Sequence, residues 1–250
     1  MKKIFITLVS IVFLTTTAIA DIARIEVGTG AWIQGTKGVA SYSENGADGS
    51  YTSNKDDNSQ AYVWALRKHP IPILPNLRLE YVSLEDKGLV TGKFKEFDVG
   101  GVTTSMTYDM KQYDIIPYYN ILDNTAWVTL DLGIDIKIID TSYEVTSKAP
   151  FTGYKGSETI VLPLLYLRGR VEIPSTDIGI EADVKYIKIG DSTVYDIRAK
   201  VDYTLEFIPV IQPAIELGYR IQKIDIDEDD ADSKIDLEFS GIYMGLMLRF

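Results

Sequence analysis

The chain has 250 residues, no cysteine and a formal charge of −11, from 25 Lys and Arg against 36 Asp and Glu. The lack of cysteine excludes disulfides, thiolate metal sites and cysteine nucleophiles. The acidic balance argues against nucleic acid as a partner, because phosphate binding needs a basic surface.

The first element is a leader. Lys2 and Lys3 precede an apolar run from Ile4 to Leu14, and Ala18-Ile19-Ala20 places small residues where a signal peptidase reads. Residues 1–20 are therefore read as a signal peptide and residues 21–250 as one barrel domain, with the mature start at Asp21. A retained anchor is the alternative, but the run is shorter than the ~20 residues of a spanning helix.

Ten alternating segments follow, over residues 22–36, 60–69, 77–87, 105–119, 126–140, 158–173, 178–189, 192–207, 213–227 and 234–250. Most are long enough to cross a bilayer as tilted strands of ~9–11 residues. The connections 70–76, 120–125, 174–177 and 208–212 are short, whereas 37–59, 88–104 and 141–157 are long and polar. Outer-membrane barrels have short periplasmic turns, long outer loops and an even strand number. The expected fold is thus an all-β, transmembrane antiparallel β-barrel of about ten strands with both termini in the periplasm.

On the first strand, Gly28 and Gly30 share the luminal face with Trp32, whose ring is expected to fill the room they leave. No helix follows them, so they are not a phosphate loop. The eighth segment alternates most cleanly, with Tyr195, Ile197, Ala199, Val201, Tyr203, Leu205 and Phe207 on one face and Asp196, Arg198, Lys200, Asp202, Thr204 and Glu206 on the other. A soluble barrel would show the same alternation with the faces exchanged. The Tyr195–Phe207 spacing, roughly 28 Å of height at ~3.4 Å per residue and ~45° tilt, favours the aromatic girdles of a membrane barrel. Tyr113, Tyr119, Phe207 and Phe250 are placed at the inner girdle.

Two turns set registers. With 174–177 as a turn, Ile173 faces Ile178, Arg170 faces Glu181 and Arg168 faces Asp183. Gly190-Asp191 suits a two-residue type II′ hairpin, which sets Ile189 against Ser192, Lys185 against Asp196, Asp183 against Arg198, and Glu181 against Lys200. Tyr186 then meets Tyr195 on the lipid side. Every inward pair has opposite sign, and a one-residue slip would send the charges to lipid. Arg168, Arg170, Glu181, Asp183, Lys185, Asp196, Arg198 and Lys200 form the candidate luminal lattice, joined by Asp131, Asp135, Lys137, Glu216 and Arg220. In this register Asp183 is expected between Arg168 and Arg198 as their shared counter-charge. The lattice reads as a plug, since barrels near eight strands are filled by side chains. A selectivity filter or ligand pocket is the alternative.

Candidate chemistry is sparse. The one histidine, His69, lies at the inner end of the second strand beside Pro70. Outer-membrane proteases and lipid-modifying barrels are similar in size, but their catalytic groups, typically including a histidine, lie near the outer side. A histidine base or triad is therefore disfavoured. The acidic run 225–232 tops the last hairpin, and Asp227, Asp229, Asp230 and Asp232 are its weak calcium candidates. A calcium-hand glycine and ligand spacing are absent, so a solvated acidic tip is preferred. No catalytic residue, cofactor or metal is expected.

The segment His69-Pro70-Ile71-Pro72-Ile73-Leu74-Pro75-Asn76, followed by Leu77-Arg78-Leu79, resembles the proline-rich inner turn of a family of Gram-negative outer-membrane β-barrels without known activity, the OMP-with-GlyGly family. Gly28-Thr29-Gly30-Ala31-Trp32 and the closing stretch from Gly241-Ile242-Tyr243-Met244-Gly245 to Phe250 also resemble it. Gly100-Gly101 is not assigned to the family's glycine pair. The resemblance implies a barrel in the cell outer membrane, and it carries no catalytic residues. Expected partners are outer-membrane lipid and lipopolysaccharide, and the barrel assembly machinery through the strand ending in Phe250. The leading expectation is a non-enzymatic surface or structural protein with a mostly charge-plugged lumen. A narrow porin-like channel for small solutes and a carboxylate-based enzyme are the alternatives.

Overall fold

The computed structural model describes residues 24–44, 47–54, 57–71, 73–94, 97–99, 103–146, 153–205, 211–228 and 233–250. The leader, Phe207, Asp229, Asp230 and Asp232 lie outside them. The strands are β1 (Arg24–Glu44), β2 (Ala47–Ser53), β3 (Asp57–Lys68), β4 (Asn76–Phe94), β5 (Phe97–Asp98), β6 (Thr104–Thr125), β7 (Val128–Thr146), β8 (Tyr154–Glu172), β9 (Ile178–Ile189), β10 (Ser192–Thr204), β11 (Gln212–Glu228) and β12 (Ser233–Arg249). All pairings are antiparallel, β6 to β12 pair in chain order, β4 pairs β6, and β12 pairs β1 to close the ring. Both β2 and β3 sit between β1 and β4, so they are two parts of one stave. Counting them together gives a closed antiparallel barrel of ten staves, with β5 an outlying two-residue pairing on β4.

The lower part of the barrel carries an apolar belt on its outside. Leu77, Leu79, Ile115, Leu132, Ile134, Leu165, Leu167, Ile197, Val201, Ile215, Leu217, Met244 and Leu246 are all exposed. So large a contiguous apolar surface marks contact with lipid, which separates this barrel from a soluble one. Charged residues point inward at the same level.

Above the belt the pattern reverses. On β6, Tyr108 and Met110 are buried inside while Ser105 and Lys111 are exposed outside. On β12, Leu237 and Phe239 face inward, whereas below them Ile242, Met244 and Leu246 face outward. Leu84, Val90, Ile139, Val145, Val194 and Ile224 complete an apolar core inside the upper barrel. Here the outer face meets water, so the apolar side of each stave turns to the interior.

This reversal accounts for the main departure from the sequence reading. Much of 37–59, 88–104 and 141–157, expected as polar loops, is strand: β1 runs to Glu44, β2 is added, β4 reaches Phe94, β7 reaches Thr146 and β8 begins at Tyr154. Their outward polar residues and glycines resemble loop composition, but their inward residues pack a core. Residues 120–125, expected as a connection, belong to β6, whose register shifts beyond Asn120 before a tight turn at Ala126 and Trp127. The β9–β10 hairpin has the expected two-residue turn, with Gly190 at φ +58°.

Two aromatic placements also change. Tyr113 pairs with Tyr81 at a ring-centroid distance of 5.1 Å. It lies two positions below Lys111, where the polar outer face begins, so it belongs to the outer girdle with the Tyr186–Tyr195 pair. At Gly28 the close neighbour is Trp64, not Trp32: a side chain there would overlap the Trp64 ring. At Gly30 a side chain would overlap the β12 backbone at Met244 and Gly245 and then the Tyr62 hydroxyl. Trp32 lies under Arg220 instead, 4.7 Å from the guanidinium carbon.

The upper core should carry much of the stability. Phe239 is fully buried. Phe239→Ala should destabilise by about 3–5 kcal/mol, whereas Ser105→Ala on the outer face should change little. Urea unfolding in detergent, followed by electrophoretic mobility of the folded barrel, checks the difference.

Candidate functional site

The lumen of the lower barrel holds the densest chemistry in the chain. Strand alternation places Arg168 and Arg170 on β8, Glu181, Asp183 and Lys185 on β9, and Asp196, Arg198 and Lys200 on β10, all facing inward and nearly inaccessible to solvent. The register across these strands pairs Arg168 with Asp183, Arg170 with Glu181, Lys185 with Asp196, Asp183 with Arg198 and Glu181 with Lys200. Tyr186 pairs with Tyr195 on the outside.

Pairing along the backbone is only half of the arrangement, because the long side chains reach across the bore. Arg198 Nη2 donates to Glu80 on β4 at 2.8 Å. Lys185 Nζ donates to the same carboxylate at 2.7 Å and to Asp114 on β6 at 2.5 Å. Arg78 closes the group on Glu80 at 2.5 Å. Glu80 is thus one anion shared by three cations from three strands.

Glu181 is the second hub. It takes Arg168 at 2.6 Å, with Arg78 and Arg170 at 3.5 Å and Lys200 at 3.6 Å. Asp196 is held by Arg220 at 2.6 Å and Lys137 at 3.4 Å. Arg170 also binds Asp202 through both terminal nitrogens at 2.5 and 2.9 Å.

One expectation fails in detail. Asp183 sits beside both arginines in register but binds Arg198 alone, at 2.9 Å. Arg168 turns instead to Asp131 and Glu181, each at 2.6 Å. The longer Glu181 side chain, one inward position closer to the periplasm, reaches both neighbouring strands. The lattice also contains Arg78, Glu80 and Asp114, which the sequence reading left out. The alternation Leu77-Arg78-Leu79-Glu80-Tyr81 was the available signal, but registers were argued only from the turns at 174–177 and 190–191.

Trp64 is packed into this lattice, with Arg78 at 4.8 Å and Lys200 at 4.6 Å over its ring. Its indole N–H donates to Glu216 at 3.1 Å, and the Tyr62 hydroxyl donates to the same oxygen at 2.7 Å. Above, Gln222 donates to Gln112 across the bore at 2.7 Å. Below, a vestibule of about 270 Å3 lined by Arg24, Glu26, Lys68, Asn120 and Thr129 ends at Tyr118 and Arg168. Asp135 is fully buried and neither oxygen accepts a hydrogen bond from a described residue, and the buried Tyr166 and Tyr243 hydroxyls likewise have no hydrogen-bond partner among them.

His69 lies at the β3–β4 turn, where its ring bonds Ile71 N and Pro75 O. Asp227 is engaged by Lys234 at 3.6 Å, and its N–H donates to Ser192 Oγ at 3.0 Å. No three metal-ligating side chains come together among the described residues.

No family model matches the chain, and no curated protein is similar to it at a significant level. Among solved structures, it is similar to the outer-membrane protease OmpT from Escherichia coli, with a TM-score of 0.57 and 10% identity over 91% of this chain and 97% of that one. It also aligns with the translocator domain of the autotransporter NalP from Neisseria meningitidis, with a TM-score of 0.43 and 12% identity over 97% and 96%. The outer-membrane protein AlkL aligns with a TM-score of 0.37 and 12% identity over 90% of each chain. The likeness to the protease barrel is one of fold, and the lipid-facing belt on a closed ring has the same meaning. The chain is a transmembrane β-barrel of the outer-membrane type.

The hubs should be unequal to their neighbours. Breaking a well-buried ion pair costs ~3–5 kcal/mol, and Glu80→Gln leaves three cations short of one anion. It should destabilise more than Asp183→Asn, which frees one arginine, and far more than Asp191→Ala at the exposed turn. Asp135→Asn removes a charge that has no hydrogen bond to lose and should cost least of the luminal changes. Thermal unfolding of the four variants in one detergent gives the order.

Proposed function

We propose that this protein is a non-enzymatic barrel of the bacterial outer membrane, with a closed lumen and a structural or surface role. The observation that carries the reading is the double closure of its bore. Ion pairs link opposite walls through Glu80, Lys185 and Arg198, and the apolar core fills the barrel above them. A hydrated ion would have to break the first and desolvate through the second.

The resemblance of the proline-rich turn and of the first and last strands to the OMP-with-GlyGly family supports the same reading. Lipopolysaccharide and phospholipid are the partners that the belt would meet, and the assembly machinery is the partner for the closing strand ending in Phe250. OmpT is named a protease, but a likeness at 10% identity carries no active site to this chain. The single histidine is engaged in a turn at the periplasmic end, away from the outer side where such enzymes act.

Purified protein in planar bilayers should show no porin-sized conductance at neutral pH. A stable wide conductance would overturn the closed-lumen reading and favour a channel. Phe239→Ala combined with Glu80→Gln should open measurable leak only if both barriers lie in series.

A further inference from the structure

The proline-rich turn between β3 and β4 belongs neither to the lattice nor to the upper core. It exposes Ile71 at 52%, Ile73 at 84% and Leu74 at 53%, and residues 70–75 contain no charge. An apolar turn at the rim of a barrel would normally be trimmed to polar residues if it faced only water.

Its backbone is prepared for a poorer solvent. Pro70, Pro72 and Pro75 have no N–H. The Ile71 N–H donates to His69 Nδ1 at 3.2 Å, which leaves Nε2 to carry the ring proton and donate to Pro75 O at 3.0 Å. The Leu74 N–H donates to Ile71 O at 3.3 Å, and the His69 N–H donates to Asn76 Oδ1 at 3.0 Å. Of the three N–H groups in residues 70–75, those of Ile71 and Leu74 are satisfied within the turn, which lowers the cost of seating it where water is scarce.

The direction of the turn is also fixed. The Tyr119 hydroxyl donates to Ile73 O at 3.0 Å. Tyr119 is an outward residue of β6, half-exposed in the same row as Ile115 and Ile121. The bond therefore ties the turn to the lipid-facing side of the wall and not to the bore. Ile121, Leu122 and Trp127 add exposed apolar surface at the same end.

We propose that the β3–β4 turn is an interfacial wedge, seated in the headgroup–acyl boundary of the periplasmic leaflet with Ile71, Ile73 and Leu74 in phospholipid. It continues the lipid-facing belt past the ends of the strands. Pro70 and Pro75 restrict the chain beforehand, so less chain entropy is lost on insertion.

The absence of cysteine makes the test direct. A nitroxide on Ile73→Cys, at a site already 84% exposed, can be compared with labels on Leu165→Cys in the belt and Asp191→Cys at the outer turn. The protein is reconstituted in phosphatidylethanolamine–phosphatidylglycerol vesicles, and collision rates with oxygen and a water-soluble nickel chelate are measured. The label at position 73 should favour oxygen over nickel several-fold, as at position 165, while position 191 shows the reverse. Nickel-dominated collisions at 73 would place the turn in water and overturn the proposal. Protection from both reagents would also overturn it, by showing that protein covers the turn. The His69→Ala exchange in the labelled protein should shift the 73 label toward nickel, because the ring no longer holds the turn against the wall.

Discussion

A β-strand sends successive side chains to opposite faces, and each stave of this barrel must satisfy two different outer solvents along its length. In lipid, the outward residue has to be apolar, which leaves the inward one to carry charge. In water above the lipid, the outward residue becomes polar and the inward one apolar. Along β12 the alternation is unbroken and only its sense changes, between Phe239 and Ile242. From that one change follow the salt-bridged lower bore, the hydrophobic upper bore and the level of the outer girdle.

The lower lattice is stable because it is shared. A buried pair alone gains little over two apolar residues, since desolvation offsets most of its attraction. Here the carboxylates of Glu80 and Glu181 each serve several cations, and the aromatic faces of Trp64 and Trp32 add cation–π contacts to Arg78, Lys200 and Arg220. With Lys185 and Arg198 committed to Glu80 and Arg78 to Glu181 on the far wall, the bore is held at a fixed width by its own side chains. Glycine spacing serves the same end: Gly28 and Gly30 leave the room that Trp64 and Tyr62 occupy.

How much of this could be read from the chain depended on turn length. Between β8 and β10 two short connections fixed every register, and Arg168 to Lys200 fell on one face without ambiguity. Contacts across the bore were not legible, because they depend on barrel diameter and strand stagger, which no local pattern encodes. Glu80 was missed for that reason, and Asp183 was given a bridging role that Glu181 fills. The upper staves were missed for another: serine and threonine on the wet face, as in Ser50 and Thr91, look like loop composition unless the buried partners Tyr51 and Val90 are weighed.

A bore crossed by ion pairs from Lys185 and Arg198 to Glu80 moves the question of function to the surfaces that remain. The interior has its hydrogen-bonding groups largely paired with one another, so a solute entering it would displace existing partners before making new ones. The outer rim is polar and acidic on its outward face, and Asp225 stands directly opposite Asp236, where only Lys223 lies between them at 4.0 and 3.4 Å. Like charges opposed across strands are unfavourable, and burial offers no compensation there because the pair is partly wet. At the inner rim the β3–β4 turn is the opposite case, apolar at Ile71, Ile73 and Leu74 and hydrogen-bonded to its own residues. The two ends of one barrel are thus built for different solvents, and a ligand or partner would be recognised at a rim or along the belt before it could be recognised in the bore.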